Sequence, residues 1–215
     1  MTEATFHRPQ RALLAWALLV LAAYGLVAAG DWVLFHQVSR MREQSPWTYL
    51  KEAERLERQN NWLGALEMLE EAARRAPDSP VPHERMGLIH YNRQRDWDKA
   101  LEAFRKALEL GSRSADVRGK IIWSLIRLGR HEGAAEFGAA CIDDGYTAPE
   151  FPRYVAEAWW RAGKPKKAIP YFQQALEGFP NDLYLMERLM EAHRKAGNQA
   201  AARKMQQRID ELMER

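Results

Sequence analysis

The chain has 215 residues, of which 28% are charged and 47% hydrophobic, enough apolar material for one folded domain with an appendage. Lysine and arginine number 32 against 29 acidic residues, and both signs are interleaved along the chain. This even balance argues against a nucleic-acid binder, in which basic residues concentrate on one face. The single cysteine, Cys141, excludes an intramolecular disulfide and a cysteine-based metal cluster.

The N-terminal part contains an apolar segment that is long enough to cross a bilayer. Residues 12–30 carry no charged side chain, and as a helix they would span about 28 Å, close to the hydrocarbon thickness. Trp32 follows at the downstream edge, where interfacial aromatic residues gather. We therefore predict a transmembrane anchor over 12–35, preceded by a tail at 1–11 and followed by a linker at 36–45.

A cleavable signal peptide is the main alternative to a retained anchor. Arg8 and Arg11 precede the apolar segment, and small residues at 27–29 offer a cleavage site. The segment exceeds the usual length of a signal-peptide core, which favours retention. Because basic residues flank it on both sides, the positive-inside rule leaves the orientation nearly balanced. The expected location is the inner cell membrane, with the helical domain on the periplasmic side.

From residue 46 onward, small residues recur at a nearly constant spacing. One series runs through Ala65, Ala100, Ala134, Ala168 and Ala202. Turn glycines at 129, 163 and 197 follow the same period, and Asn60 and Gln94 are expected at the corresponding place in the earlier units. A period of this length predicts stacked helix-turn-helix units, drawn at about 46–80, 81–114, 115–148, 149–182 and 183–215.

These units resemble the tetratricopeptide repeat, whose period of about 34 residues matches the spacing of the alanines. The fullest match is in the fourth unit, where the family's places are occupied by Trp159, Gly163, Ala168, Phe172, Ala175 and Pro180. The resemblance covers the chain from about Pro46 to the C-terminus. It implies an all-α fold, a TPR-like helix-turn-helix solenoid of about five repeats that is preceded by one transmembrane helix.

Two units depart from the regular pattern. In the third, Ile122 stands where a small residue is usual and Gly138 where a large one is usual. We expect the isoleucine to fill the space that the glycine leaves. The alternative is a locally loosened helix, because glycine in a helix interior costs about 1 kcal/mol relative to alanine. In the second unit, the one extra residue is expected in the turn at 94–98.

No catalytic constellation is present in the sequence. His83 and His90 are seven residues apart, too far along one helix to share a zinc ion. There is no HExxH motif, no glycine loop that would hold phosphates and no nucleophile elbow. We therefore predict a non-enzymatic protein with no cofactor, no metal site, no nucleic-acid ligand and no small-molecule substrate.

In the tetratricopeptide family, the first helix of each unit lines a concave groove that holds a protein ligand. The resemblance assigns this role to residues at the groove-facing places: Tyr91, Asn92, Trp123, Arg127, Arg153, Trp160, Arg161 and Arg194. Tyr, Trp and Arg are the types that anchor protein interfaces. Packing between units is the alternative role for Trp123 and Trp160, whereas Trp159 is assigned to the packing core.

The resulting expectation is a membrane-anchored scaffold whose groove binds a protein or peptide partner, for assembly or stabilisation of a membrane-associated complex. The alternative is a chaperone-like periplasmic assembly factor that transiently binds exported proteins. An enzyme with a cofactor that the sequence does not reveal is a minor alternative. The clamp of lysine and asparagine by which some family members hold a C-terminal carboxylate has no counterpart at the corresponding places.

Overall fold

The computed structural model describes residues 45–146 and 148–214, which form ten α-helices and contain no strand. The helices are α1 (Pro46–Arg58), α2 (Trp62–Arg75), α3 (Val81–Ile89), α4 (Trp97–Glu109), α5 (Ala115–Arg127), α6 (His131–Asp143), α7 (Glu150–Arg161), α8 (Pro165–Gly178), α9 (Leu183–Lys195) and α10 (Gln199–Met213). Each helix packs on the next along the chain, so five helix pairs stack in order. This confirms the predicted all-α solenoid.

The predicted anchor at 12–35 and the tail at 1–11 lie outside the described residues, as does the linker up to residue 44. Within 45–146 and 148–214, no helix combines the length and the apolar character that a membrane crossing requires.

Polar side chains determine where many of the helices begin. The side chains that accept a backbone N–H from the first turn are those of Ser45, Asn61, Asp96, Ser114, Asp182 and Asn198. Each of these caps satisfies one N–H group that a helix start leaves without a partner, a contribution of about 1 kcal/mol. Pro165 begins α8, where the missing N–H of proline is not needed.

Small residues lie where the helices cross. The alanines at the crossings are at most 2% exposed: Ala53, Ala65, Ala72, Ala100, Ala107, Ala134, Ala156, Ala168, Ala175, Ala192 and Ala202. Gly87 shows how closely the helices approach, because a Cβ atom there would lie 2.5 Å from two carbons of the Phe104 ring. Large side chains such as Phe104 and Phe172 fill the remaining space and are fully buried. The repeat therefore depends on small residues that admit these aromatic rings.

The third unit exchanges large and small residues at its crossing, as the sequence predicted. A Cβ atom on Gly138 would lie 3.1 Å from Cδ1 of Ile122, so the isoleucine does occupy the space beside the glycine. Helix α6 is continuous through Gly138. The nearest atom is Cγ2 of Val155, at 2.6 Å, and Val155 belongs to the next unit. The glycine therefore also admits packing between units.

The extra residue of the second unit lies in its first helix, and the prediction that placed it in the turn at 94–98 is wrong. His90–Gln94 form a π-helical turn directly after α3, and such a turn accommodates one additional residue. The left-handed place at the turn belongs to Arg95, with φ of 53°, and not to Gln94. Asn60 (φ 59°) and Gly129 (φ 74°) take the same conformation in the neighbouring units.

We predict that Gly138→Ala lowers the free energy of unfolding by about 1–3 kcal/mol, although alanine is the better helix former, because its methyl group overlaps Val155. A double-mutant cycle on urea unfolding should give a larger coupling energy for the pair 138 and 155 than for 138 and 122. The partners are tested as Val155→Ala and Ile122→Ala. Purely additive effects in both cycles would show that these side chains do not meet.

We predict that Arg95→Gly raises the free energy of unfolding by about 0.5–1 kcal/mol. The left-handed conformation costs a non-glycine residue about 1–2 kcal/mol, and the greater backbone entropy of unfolded glycine cancels part of the gain. Gly129→Arg is the reciprocal change in the next unit and should lower the stability by a similar amount. Thermal unfolding of both variants measures the effect, and a loss of stability in Arg95→Gly would contradict it.

Candidate functional site

Helices α5, α7 and α9, the first helices of the last three units, form a face that contains two neighbouring cavities. The smaller cavity, of about 130 Å³, is lined by Trp123, Arg153, Glu157, Arg161, Phe172, Tyr184 and Leu185. The larger one, of about 290 Å³, lies between α5 and α7 and is lined by Ala115, Asp116, Gly119, Lys120, Trp123, Ala148, Glu150, Phe151 and Tyr154. Trp123 lines both. We refer to these two cavities together as the groove.

A buried carboxylate organises the polar side of the smaller cavity. Glu157 is only 5% exposed, and a buried charge is stable only with hydrogen-bonding partners. Nε of Arg161 donates to its Oε1 at 2.6 Å, and the hydroxyl of Tyr184 donates to its Oε2 at 2.9 Å. Burial raises the pKa of Tyr184, so its hydroxyl remains a donor at neutral pH. Both carboxylate oxygens thus accept hydrogen bonds, and these hold Arg161 and Tyr184 in place.

Aromatic rings form the wall between the two cavities. Trp123 and Tyr154 meet edge to face with their ring centroids 5.7 Å apart. A Cβ atom on Gly119 would lie 3.2 Å from the Tyr154 ring, so the glycine lets this tyrosine lie close against α5. The arrangement gives the groove an aromatic centre with charged residues on both sides.

The structure brings three of the eight predicted residues together around one cavity: Trp123, Arg153 and Arg161. Arg153 also forms an ion pair with Asp182 at 3.3 Å, which ties α7 to the start of α9. Trp123 is half-buried, so part of its ring faces the groove.

Three further predicted residues lie towards the second unit. The rings of Tyr91 and Trp97 meet edge to face at 5.0 Å, and burial raises the pKa of Tyr91. Arg127 is exposed, with its guanidinium carbon 5.1 Å from the centre of the Trp97 ring. Asn92 is exposed within the π-helical turn. Tyr91 therefore packs between helices, whereas Arg127 and Asn92 are accessible.

The last two predicted residues, like Tyr91, Asn92 and Arg127, do not line either cavity. The Trp160 ring is half-buried beneath cations of α9, with Lys195 Nζ at 4.2 Å and the Arg188 guanidinium at 5.6 Å from its centre. Arg194 is exposed and donates to Gln206 at 3.4 Å. The assignment of Trp159 to the packing core is confirmed, since it is 6% exposed.

Sequence reasoning missed Tyr184 and Tyr154, which contribute to the two cavities. Tyr184 stands one repeat period after Glu150, and Glu150 stands one period after Asp116. These three residues share the second place of their units, and that periodic place was the available signal for Tyr184. Tyr154 gives no such signal, because its ring reaches the groove only through the space beside Gly119.

Neither a metal site nor a reactive thiol is evident among the described residues. No cluster of three or more His, Cys, Asp or Glu side chains there is arranged to hold a metal ion. Cys141 is buried, and burial raises the pKa of its thiol, which disfavours the reactive thiolate.

Comparison with known proteins gives one family and several structural neighbours. A family model described as tetratricopeptide repeat matches residues 39–215. MamA from Desulfovibrio magneticus RS-1 is 20% identical, with a TM-score of 0.67 over 79% of this chain and 95% of that chain. YrrB, a TPR protein with an unusual peptide-binding site, is 16% identical, with a TM-score of 0.70 over 83% of this chain and 91% of that chain. Likeness at these identities shows the fold alone. No curated protein matches the sequence.

Proposed function

The chain belongs to the tetratricopeptide repeat family, and from that premise we propose that it is a non-enzymatic scaffold that binds a protein or peptide partner in its groove. The observation that carries the proposal is the position of Trp123, half-buried and shared by both cavities. Tryptophan and arginine are the residues on which protein interfaces most depend. The similar protein YrrB, which has a peptide-binding site, supports a peptide as ligand.

The shape of the groove suits an extended segment of a partner. Trp123 and Tyr184 form the accessible walls of the smaller cavity, and Arg153 and Arg161 form its rim. Phe172 and Leu185 lie beneath and are fully buried. A dry apolar cavity of about 150 Å³ holds one benzene ring, so about 130 Å³ is room for one apolar side chain. The larger cavity beside Trp123 has room for the next part of the segment.

The carboxylate of the smaller cavity positions its neighbours. Among the described residues, Glu157 is the only carboxylate lining that cavity, and Arg161 and Tyr184 donate one hydrogen bond to each of its oxygens. These charge-assisted hydrogen bonds fix the two side chains that a partner would meet at the cavity.

The proposal includes a membrane anchor at 12–35, with the solenoid on the periplasmic side of the inner membrane. The charge-free run at 12–30 supports it, because its length matches a bilayer. The linker at 36–45 reaches at most about 35 Å when extended, which would keep the groove near the bilayer. Such tethering raises the effective concentration of the groove towards membrane partners and suits assembly or stabilisation of a membrane-associated complex.

We predict that Trp123→Ala abolishes recovery of the main partner when the full chain is purified in mild detergent, because an interface anchor contributes more than about 2 kcal/mol. Trp159→Ala should instead lower the free energy of unfolding by about 3–5 kcal/mol, since that ring is in the core. Trp47→Ala is the control, an exposed tryptophan outside the groove. Undiminished partner recovery with Trp123→Ala would refute binding in the groove, and weak capture of many chains would indicate the chaperone-like alternative.

We predict that the full chain stays in the membrane pellet through high-salt and carbonate washes, because hydrophobic insertion is insensitive to ionic strength. A membrane-impermeant thiol probe should label a Ser45→Cys variant in intact spheroplasts if the solenoid is periplasmic. Labelling only after lysis would place it on the other side. A mature protein that starts near Gly30 or Asp31 would identify a cleaved signal peptide instead.

A further inference from the structure

Three first helices carry an ion pair between residues four apart at the same place of the repeat. The pairs are Glu54–Arg58 at 3.1 Å, Glu157–Arg161 at 2.6 Å and Glu191–Lys195 at 3.6 Å. Glutamate four residues before a cation is the favourable order on a helix. In these three units, a glutamate thus pairs with the cation near the C-terminal end of the same helix.

The third unit keeps the cation of this pair and lacks the carboxylate. Arg127 stands one repeat period before Arg161, and Trp123 stands one period before Glu157. No carboxylate of the described residues forms a salt bridge with Arg127, which is exposed and rests against the Trp97 ring. Within the described part of the chain, the Arg127 guanidinium donates no hydrogen bond, so its N–H groups are available to a ligand.

The second unit resembles the third in its cation and differs in the residue beside it. Arg93 lies over the Trp62 ring, with its guanidinium carbon 4.4 Å from the ring centre. The place of the carboxylate is taken by Leu88, which follows the crossing residue Gly87 as Glu54 follows Ala53 and is half-buried. The second unit therefore places an aliphatic side chain beside its cation, whereas the third unit places the aromatic ring of Trp123 there.

Helix electrostatics explain Arg127 only in part. A cation in the last turn of a helix gains about 0.3–1 kcal/mol from the helix dipole, and stacking on Trp97 adds to this. Trp123 packs edge to face on Tyr154 of the next unit and also lines two cavities, at a place where three of the other units have glutamate. Because residues four apart share a helix face, Trp123 and Arg127 together present an aromatic surface beside an uncompensated cation.

We infer that the partner supplies the missing carboxylate. The ligand is an acidic peptide segment in which an Asp or Glu side chain binds Arg127 and a neighbouring apolar side chain packs on Trp123. That apolar side chain enters the smaller cavity between Trp123 and Tyr184. The planar guanidinium of arginine binds carboxylates through two parallel hydrogen bonds, which makes the contact selective. This inference rests on the proposed function and adds the chemical class of the partner.

The charges around the groove favour an acidic peptide over a nucleic acid. Glu157 lines the smaller cavity, and Asp116 and Glu150 line the larger one. A continuous phosphate backbone laid along the groove would meet all three carboxylates. A peptide can place one carboxylate at Arg127 and present apolar or neutral groups to the rest of the groove.

The test is selection from a library of short random peptides fused at both ends to a carrier, so that no free C-terminal carboxylate contributes. The bait is the full chain in mild detergent. We expect enrichment of Asp or Glu close to a large apolar residue, with affinity that falls as salt rises. Arg127→Glu should invert the preference towards basic peptides. Arg127→Gln should weaken the selected peptides about fivefold, as for loss of one accessible ion pair.

Two variants separate this role from a structural one. Arg58→Gln removes the cation at the same place of the first unit, where Glu54 already compensates it, and should leave peptide selection unchanged. Trp123→Glu recreates the repeat's own ion pair with Arg127 and should abolish the acidic preference. Circular dichroism of each variant verifies that the helical content is retained.

Absence of acidic enrichment, or enrichment that Arg127→Glu leaves unchanged, would overturn the inference. If Trp123→Ala still prevents partner recovery in that case, the groove is the binding site and only the chemistry assigned to the partner is wrong. Tighter binding of a single-stranded RNA oligomer than of the acidic peptides, lost in Arg127→Gln, would also overturn it and identify a nucleic-acid site.

Discussion

The helical solenoid depends on the close approach of helices at crossings occupied by alanine and glycine. Gly87 illustrates the constraint, because even one methyl group there would overlap the ring of Phe104. Because the helices pack closely in every unit, successive units have the same geometry. Residues one repeat period apart therefore occupy equivalent places in neighbouring units. The groove follows from that regularity, since it combines equivalent places of α5, α7 and α9 into one surface.

Departures from the regular pattern are informative because close packing tolerates few of them. The missing side chain of Gly138 leaves space that is filled by Ile122 of the same unit and Val155 of the next unit. The extra residue of the second unit is absorbed by a π-helical turn at His90–Gln94, so the helix pair is retained. At Trp123 the departure concerns the surface and not the core. There the chain replaces the repeat's carboxylate with an aromatic ring, and this is the place where a partner's carboxylate is expected.

Periodicity in the sequence predicted the helix pairs, the buried alanines and the exchange between Ile122 and Gly138, because close packing repeats within every unit. The cavity residues Trp123, Arg153 and Arg161 were expected from the family resemblance, which assigns the groove-facing places of each first helix. The contacts that periodicity did not predict join two neighbouring units. One example is Lys195, whose ammonium group lies over the Trp160 ring. The place of the extra residue was ambiguous, since one period forward from Asn60 gives Gln94 and one period back from Gly129 gives Arg95.

Occupation of the groove by a partner is tested most directly by hydroxyl-radical footprinting of the full chain with and without its copurified partner. Trp123, Tyr154 and Tyr184 should lose reactivity in the complex. Trp47 and Met213, which are 57% and 70% exposed and lie outside the groove, should react equally in both states. Protection of Met213 with unchanged reactivity of Trp123 and Tyr184 would contradict the account and place the partner on another face of the solenoid.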